Sequence, residues 1–100
     1  MKVLQISRGL NPTYMLRLIR GRVETYINYY KDTEAMQSLH NMFSDNNFKT
    51  ALSQIYIDGD YICIDSTNRL LRFLEYGGPH VKALRILTKA CEGLSGGMLW

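Results

Sequence analysis

The sequence predicts a small α+β fold in which about four helices pack on a short, mostly antiparallel sheet. Apolar residues recur at helical spacing in four stretches, each next to residue types that begin or end helices. Between the second and third stretches, residues 54–65 alternate isoleucines with other side chains around an Asp-Gly-Asp sequence, which is the pattern of a β-hairpin.

The first predicted elements are a short strand at residues 2–6 and a long helix after it. Asn11 is suited to cap that helix, and Pro12 suits its first position, where the missing N–H does no harm. Apolar residues then fall on one helical stripe as far as Tyr30. The sequence therefore predicts one helix beginning at Pro12.

A hairpin that turns at Gly21-Arg22 is the alternative for residues 12–31, because the second half of this segment is rich in residues that favour strands. That hairpin would place Arg20 opposite Val23 on its apolar face. The helical stripe has no such exception, so the helix is preferred and the hairpin remains the open alternative.

A second helix is predicted from Asp32, as its capping residue, to about Phe43. The polar residues 44–47, Ser-Asp-Asn-Asn, are typical of a break after it. Residues 48–53 fit either a helical turn or the start of a strand, and their pattern does not choose between the two.

The hairpin is specified by its isoleucines. A two-residue turn at either Asp58-Gly59 or Gly59-Asp60 places all of them on one face, because strand side chains alternate with a period of two. Asp-Gly is a favoured type I′ pair, since both residues tolerate positive φ. The isoleucines of the predicted apolar face are Ile55, Ile57, Ile62 and Ile64.

Two more helices complete the predicted fold. Asp65 or Ser66 is expected to cap the third, which ends at Gly77-Gly78. Pro79 is expected to begin the fourth, which extends to about Glu92 with its apolar residues facing inward.

The composition suits one globular domain, predicted at residues 1–94 with a short tail at 95–100. No apolar run is long enough to span a membrane, and the N-terminal residues lack the apolar core of a secretory signal. Two cysteines are too few for a disulfide framework. We therefore expect a cytoplasmic protein with free thiols and no membrane partner.

Three aspartates in and after the hairpin raise the possibility of a metal site. Asp58, Asp60 and Asp65 lack the spacing of a calcium-binding loop, because four strand residues separate the last two. Two turn residues and one helix cap account for all three. We therefore expect no metal at these positions.

Other catalytic or cofactor sites have no sequence support. His40, Cys63, His80 and Cys91 are potential zinc ligands, but no two of them have the close spacing of a zinc site. No glycine-rich nucleophile turn or recognised cysteine–histidine context is present. The sequence predicts a protein without cofactors or enzymatic activity.

Positive charge is concentrated in the last third of the chain. Residues 66–100 carry five bases and two acids, which accounts for the whole net charge of +3. On the predicted fourth helix three bases are spaced i, i+3 and i+7, so they would share one stripe. The residues predicted to bind a partner, protein or nucleic acid, are Arg69, Arg72, Tyr76, Lys82, Arg85 and Lys89.

The turn before the predicted fourth helix offers a possible anion site. Gly77 and Gly78 would expose backbone N–H groups at a helix N-terminus, with His80 in its first turn. The segment has neither the Walker pattern nor a G-x-G-x-x-G motif. A tight turn between antiparallel helices is therefore the preferred interpretation.

The favoured function is a non-enzymatic interaction protein that docks on a protein partner or on a second copy of itself. Tyrosine and arginine dominate protein-binding surfaces, and several aromatic residues exceed what the core needs: Tyr14, Tyr29, Tyr56, Tyr61 and Trp100. In type, though not in sequence, the chain resembles the small accessory or inhibitor proteins of phages and mobile elements. The alternative is a nucleic-acid-binding module that uses the basic helix pair at 66–92.

Overall fold

The computed structural model describes residues 1–94. Its three strands pair antiparallel in the order β1-β3-β2, and five helices accompany them. The predicted α+β class is therefore confirmed, while the predicted tail at 95–100 lies outside the described residues. The elements are β1 (Lys2–Gln5), α1 (Pro12–Tyr29), α2 (Glu34–Met42), α3 (Asp45–Ser53), β2 (Ile55–Asp58), β3 (Tyr61–Ile64), α4 (Arg69–Tyr76) and α5 (Ile86–Cys91).

Strands β2 and β3 form the predicted hairpin. Ile57 pairs with Ile62, which places the two-residue turn at Gly59-Asp60, the second of the two predicted registers. Gly59 has a φ of +60°, whereas Asp60 does not have a positive φ. This is a type II′ pattern, in which only the first turn residue needs positive φ, so the type I′ Asp-Gly turn is wrong.

Helix α1 is continuous, so the alternative hairpin for residues 12–31 is wrong. The Asn11 side chain accepts a hydrogen bond from the Tyr14 N–H at 3.2 Å, as expected of the cap. Met15, Ile19 and Val23 form the buried stripe. This stripe packs between α5 and β2, and thereby joins the sheet to the last helix.

An arginine fixes α1 to the outer edge of the sheet. The Arg20 Nε donates to the Ile55 carbonyl at 2.9 Å, and its Nη2 also reaches the Ser53 carbonyl at 3.4 Å. The Ile55 carbonyl is at the edge of β2 and needs a partner outside the ladder. Arg20 was the residue that counted against the hairpin alternative. In the helix its side chain is half-buried beside β2, and its donors bond to backbone carbonyls.

The caps of α2 and α3 differ from the prediction. Thr33, and not Asp32, caps α2, because its hydroxyl accepts from the Met36 N–H at 3.2 Å. The polar segment after α2 both ends that helix and begins α3. Ser44 and Asn47 form a reciprocal capping box there, with each side chain bonded to the other's backbone N–H.

The cap of α4 also lies later than predicted. Asn68 accepts from the Leu71 N–H at 3.0 Å, so neither Asp65 nor Ser66 is the cap. The Asp65 carboxylate instead accepts from the N–H and the hydroxyl of Thr67. These bonds make a local turn before the helix, and the Thr67 side-chain bond is the main reason that the pKa of Asp65 is lowered.

The predicted fourth helix is wrong over its first half. Gly78 and Val81 exchange backbone hydrogen bonds in an isolated antiparallel bridge, so their polar groups are not available to a helical ladder. Arg85 has a left-handed backbone, with φ 58° and ψ 39°, and α5 begins only after it. The inward-facing residues were nevertheless predicted correctly, because Val81 and Leu84 are buried in the core without being helical.

The second face of the sheet is open to solvent. Tyr56 and Lys2 flank Cys63 from the two neighbouring strands, which confirms that Cys63 lies opposite the isoleucines. Tyr56 and Lys2 are exposed, whereas Cys63 between them is 2% exposed. Tyr56, one of the aromatic residues that exceed what the core needs, is 40% exposed on this face. None of the described helices is long and apolar enough to cross a membrane.

Candidate functional site

Three clefts that share lining residues contain most of the predicted partner-binding positions. The arginine cleft, of about 210 Å³, lies between α4 and residues 77–79. The loop cleft, of about 770 Å³, lies between residues 78–84 and the segment that joins α1 to α2. The tyrosine cleft, of about 470 Å³, lies between the last turns of α1 and α5. Gly78 and Pro79 line both the arginine cleft and the loop cleft, and Lys89 lines both the loop cleft and the tyrosine cleft. The three clefts therefore adjoin one another, and we call them together the cleft band.

Helix α4 forms one wall of the arginine cleft. Arg69, Arg72 and Phe73 are spaced i, i+3 and i+4, so they share one face of that helix. The Arg69 guanidinium carbon lies 5.9 Å from the centre of the Phe73 ring. The Arg72 guanidinium has neither a hydrogen bond nor an ion pair with any other residue of the described chain. One guanidinium is thus placed over a ring and the other is free.

The opposite wall of the arginine cleft is tightly packed backbone. A Cβ added to Gly78 would lie 2.6 Å from the Phe73 ring, so only glycine fits against that ring. The Gly77 N–H donates to the Phe73 carbonyl at 2.9 Å, and the Gly78 N–H donates to the Val81 carbonyl at 2.8 Å. Both backbone donors are therefore occupied, and the two guanidiniums are the hydrogen-bond donors that the cleft offers.

The electrostatic environment of these two arginines is unfavourable within the protein itself. Arg69 is the first residue of α4, where the helix dipole is positive, and the first turn contains no acidic residue. Arg72 follows at i+3, where a like charge destabilises a helix by about 0.2–0.5 kcal/mol. Among the described residues neither arginine has an ion pair, so the arginine cleft contains two positive charges without a salt-bridge partner.

The loop cleft has a mixed lining. His80 and Lys82 are exposed on its loop side, while Glu34 lies on its α2 side. Lys89 is held at the end of this cleft, because its Nζ donates to the Leu84 carbonyl at 2.6 Å and lies 4.5 Å from the centre of the Tyr30 ring. Lys82 is therefore the more accessible of its two lysines.

The tyrosine cleft combines a fixed arginine with an exposed ring. The Arg22 Nη1 donates to the carbonyls of Ala90 and Glu92, at 3.2 and 3.0 Å, where the end of α5 leaves carbonyls without helical partners. Tyr29 is 74% exposed and packs edge-on against Tyr30, with ring centres 4.9 Å apart. The Tyr29 ring is thus both accessible and supported from behind.

The structure brings together most, but not all, of the predicted site residues. Tyr76 and Arg85 are exposed and line none of the three clefts. The others divide between the arginine cleft and the loop cleft, with Gly78 in both: Arg69, Arg72, Gly77, Gly78, His80, Lys82 and Lys89.

Two arrangements predicted for these residues are wrong. Lys82, Arg85 and Lys89 do not share a helical stripe, because the first precedes α5 by four residues and the second has a left-handed backbone. The anion site at Gly77, Gly78 and His80 was expected at a helix N-terminus, and no helix begins there. These residues are brought together instead by the path of the non-helical residues 77–85 between α4 and α5.

Sequence reasoning missed Arg22, Phe73 and Pro79 as lining residues. The sequence analysis assigned no surface role to Phe73, and Arg22 gave no signal because its carbonyl partners lie about seventy residues away. Of the aromatic residues predicted to be exposed, Tyr29 lines the tyrosine cleft and Trp100 lies outside the described residues.

A buried carboxylate and a buried thiol lie behind the band. Glu75 is 0% exposed and accepts from the Thr88 N–H at 3.0 Å and from the Thr88 hydroxyl. It thereby caps α5, whose own Arg85 provides no side-chain cap. Burial, followed by the nearby Glu75 carboxylate, raises the pKa of Cys91 to about 11. Cys63 is also a free thiol with a raised pKa, mainly because of burial.

Residues 1–94 contain no group of three or more histidine, cysteine, aspartate or glutamate side chains positioned to share a metal ion. Asp58 and Asp60 lie at the hairpin turn, and Asp65 lies in the turn before α4. Comparison of the chain with models of protein families, with curated protein sequences and with solved structures found no match.

Proposed function

We propose that this chain is a non-enzymatic interaction protein that docks on an acidic surface of a protein partner through the cleft band. The observation that carries the proposal is the unpaired positive charge of Arg69 and Arg72 beside a formed cleft. Lys82 adds a further positive charge in the loop cleft. Glu34 is the one acid among the described residues that line the loop cleft. Such a surface is complementary to a partner rich in carboxylates.

The aromatic residues of the band support a protein partner. Interface anchors are enriched in tyrosine and arginine, and they act best when their own packing holds them in place. Tyr29 rests against Tyr30, and Arg69 lies over Phe73, so both anchors lose little freedom on binding. Occupying a partner's surface in this way is how accessory and inhibitor proteins act.

The distribution of accessible cations favours protein over nucleic acid. Arg22 and Lys89 direct their donors to backbone carbonyls of the chain itself. The accessible bases of the region are then Arg69, Arg72, Lys82 and Arg85. Nucleic-acid-binding proteins commonly contact about six to ten phosphates. Tyr30 lines the loop cleft, and the Nζ of Lys89 lies over its ring, 4.5 Å from the ring centre. That face of the ring is therefore not available for stacking on a base.

The test immobilises the purified protein and asks which partner it retains from a nuclease-treated extract of the cells in which the chain is naturally made. Wild type is compared with the double variant Arg72→Glu/Lys82→Glu and with Arg17→Glu, which reverses an exposed arginine of α1 that lines none of the clefts. We expect one protein species to be retained by wild type and by Arg17→Glu, and to be lost from the double variant.

Two results would contradict the proposal. Retention of the same species by the double variant would move the docking site elsewhere on the molecule. Retention only of nuclease-sensitive material would support the nucleic-acid alternative. In that case the slope of log affinity against log salt for the purified protein and an oligonucleotide should fall by about two units in the double variant, since each phosphate contact contributes nearly one.

A further inference from the structure

We infer that the arginine cleft receives the carboxylate of an aspartate or glutamate side chain of the partner, next to an apolar partner residue that packs on Phe73 and Pro79. This inference rests on the proposed function, because it names the chemical group that the cleft band recognises. It concerns a cleft of about 210 Å³, which is smaller than a typical small-molecule pocket of about 300–1,000 Å³.

The two guanidiniums determine the charge and the shape of the ligand group. Each is a planar fork of N–H donors that matches two oxygen atoms in one plane. The Arg69 guanidinium lies over the Phe73 ring. The Arg72 guanidinium, one helical turn later, has no hydrogen-bond or ion-pair partner in the described chain. A carboxylate between them can accept from both, and its negative charge would offset the repulsion between the two guanidiniums.

The other donors of the cleft distinguish a carboxylate from a phosphoryl group. Phosphate sites usually add backbone N–H groups or hydroxyls to their cations, because a phosphoryl group has three terminal oxygens to satisfy. Here the N–H groups of Gly77 and Gly78 are already bonded to the chain's own carbonyls. None of the described residues that line the cleft has a hydroxyl. The remaining donors suffice for the two oxygens of a carboxylate.

The rest of the lining determines the neighbour of that carboxylate. Phe73 is half-buried and presents part of its ring to the cleft, while Pro79 is exposed at its rim. Neither offers a donor or an acceptor from its side chain. An aliphatic or aromatic residue adjacent to the acid in the partner would bury this apolar surface, and the exclusion of water would strengthen the ionic hydrogen bonds beside it.

The position of the arginines indicates that they serve binding rather than folding. A cation at the positive end of a helix dipole, with a second cation at i+3, destabilises the isolated domain. Residues that lower stability without an internal compensation are expected at functional sites. Reversing the free arginine, Arg72→Glu, should therefore stabilise the protein while it abolishes recognition of an acid.

The experiment follows the Nε–Hε signals of arginine by NMR in the ¹⁵N-labelled full chain. The probes are three capped tetrapeptides that differ at one position: Gly-Glu-Leu-Gly, the same peptide with glutamine in place of glutamate, and the same peptide with phosphoserine. We expect the glutamate peptide to shift the signals of Arg69 and Arg72, and its affinity to exceed that of the glutamine peptide by at least tenfold. Arg72→Glu should remove binding and raise Tm by about 2–4 °C, and Arg17→Glu should leave binding unchanged.

Each contrary result has a defined meaning. Equal binding of the glutamate and glutamine peptides, or binding that survives Arg72→Glu, would overturn the carboxylate assignment. Tighter binding of the phosphoserine peptide would assign the cleft to a phosphoryl group instead. A fall of Tm in Arg72→Glu would show that the cation pair is structural and would also overturn the inference. If no peptide binds but the partner is still lost from Lys82→Glu alone, the inference fails while the proposed function stands.

Discussion

The hairpin at residues 55–64 and the segment at residues 77–91 bury aliphatic side chains in the same core, but their backbones are held in different ways. In the hairpin, the backbone groups that β2 and β3 turn toward each other pair in a regular antiparallel ladder. The second segment depends on separate contacts from distant side chains: Glu75 to Thr88, Lys89 to Leu84, and Arg22 to Ala90 and Glu92. Regular pairing tolerates local change, whereas an irregular segment depends on each of its contacts.

Glycine substitutions provide the strongest test of this difference. Gly59 in the hairpin and Gly77 before the irregular segment both have positive φ, 60° and 67°. A Cβ at Gly59 meets no atom within 4 Å, but at Gly77 it would lie 2.4 Å from the Val81 carbonyl oxygen. We expect Gly59→Ala to cost about 1–2 kcal/mol, from backbone strain alone. Gly77→Ala should cost about 4 kcal/mol or more, because backbone must move.

The measurement for both glycine variants is the free energy of unfolding in urea. Equal losses for the two variants would show that strain in φ dominates and that the close approach at Gly77 relaxes without difficulty. Since Gly77 also lines the arginine cleft, peptide binding by the alanine variant reports whether that wall has moved.

A cavity in the hairpin face should have the next largest effect. Ile62 is fully buried, so Ile62→Ala should cost about 2–4 kcal/mol by loss of contacts and creation of a cavity. Ile57 lies opposite Ile62 but is only half-buried, so Ile57→Ala should cost about half as much. Asp60→Asn at the turn should change the free energy of unfolding by less than about 0.5 kcal/mol. A large loss from Asp60→Asn would indicate that its carboxylate has a role beyond the turn.

The same two regions show what could be predicted from the sequence. In the hairpin, four isoleucines and one glycine all agree with one local geometry, so the pairing followed from residues near each other in the chain. In the second segment, the spacing of Val81 and Leu84 predicted burial correctly and helix wrongly. The spacing of apolar residues indicates which side chains are buried, and it does not by itself require a helix. Here a non-helical backbone, anchored by the bridge between Gly78 and Val81, buries the same side chains.

The sequence pointed to some of the residues that line the clefts, but not to their arrangement. The bases were identified from their concentration after residue 65, which requires only the sequence. Their division into two clefts depends on Gly78 packing against Phe73 and on Arg22 bonding to the end of α5. These contacts join residues up to seventy positions apart, and no periodicity in the sequence encodes them.

The carboxylate that caps α5 should have an intermediate effect. Glu75→Leu keeps the side-chain volume but removes both acceptors, so the Thr88 N–H loses this hydrogen bond inside the protein. We expect a loss of about 2 kcal/mol in the free energy of unfolding, because two hydrogen bonds of about 1 kcal/mol each are removed. Glu75→Gln retains one acceptor oxygen and should recover at least half of that loss. If both variants are as stable as wild type, the irregular segment does not depend on this contact.

Among the expected losses of stability, the smallest is a pH-dependent one that Cys91 contributes at alkaline pH, because its thiol lies buried beside Glu75. The pKa of its thiol is raised from an ordinary value of 9.0 to about 11 in the folded protein. Below pH 9 the thiol is protonated in both states and adds no pH dependence. As the pH rises from 9 to 11, the unfolded chain releases this proton while the folded chain retains it, so the free energy of unfolding falls. Screening by solvent limits the contribution to about 1 kcal/mol. Urea unfolding of wild type and Cys91→Ala at pH 8 and pH 10.5 measures it, since the two proteins differ only at Cys91 and their shared contributions cancel in the difference. The variant should lose less stability than wild type over this interval, and an equal loss would place the thiol in a better-hydrated site than its burial indicates.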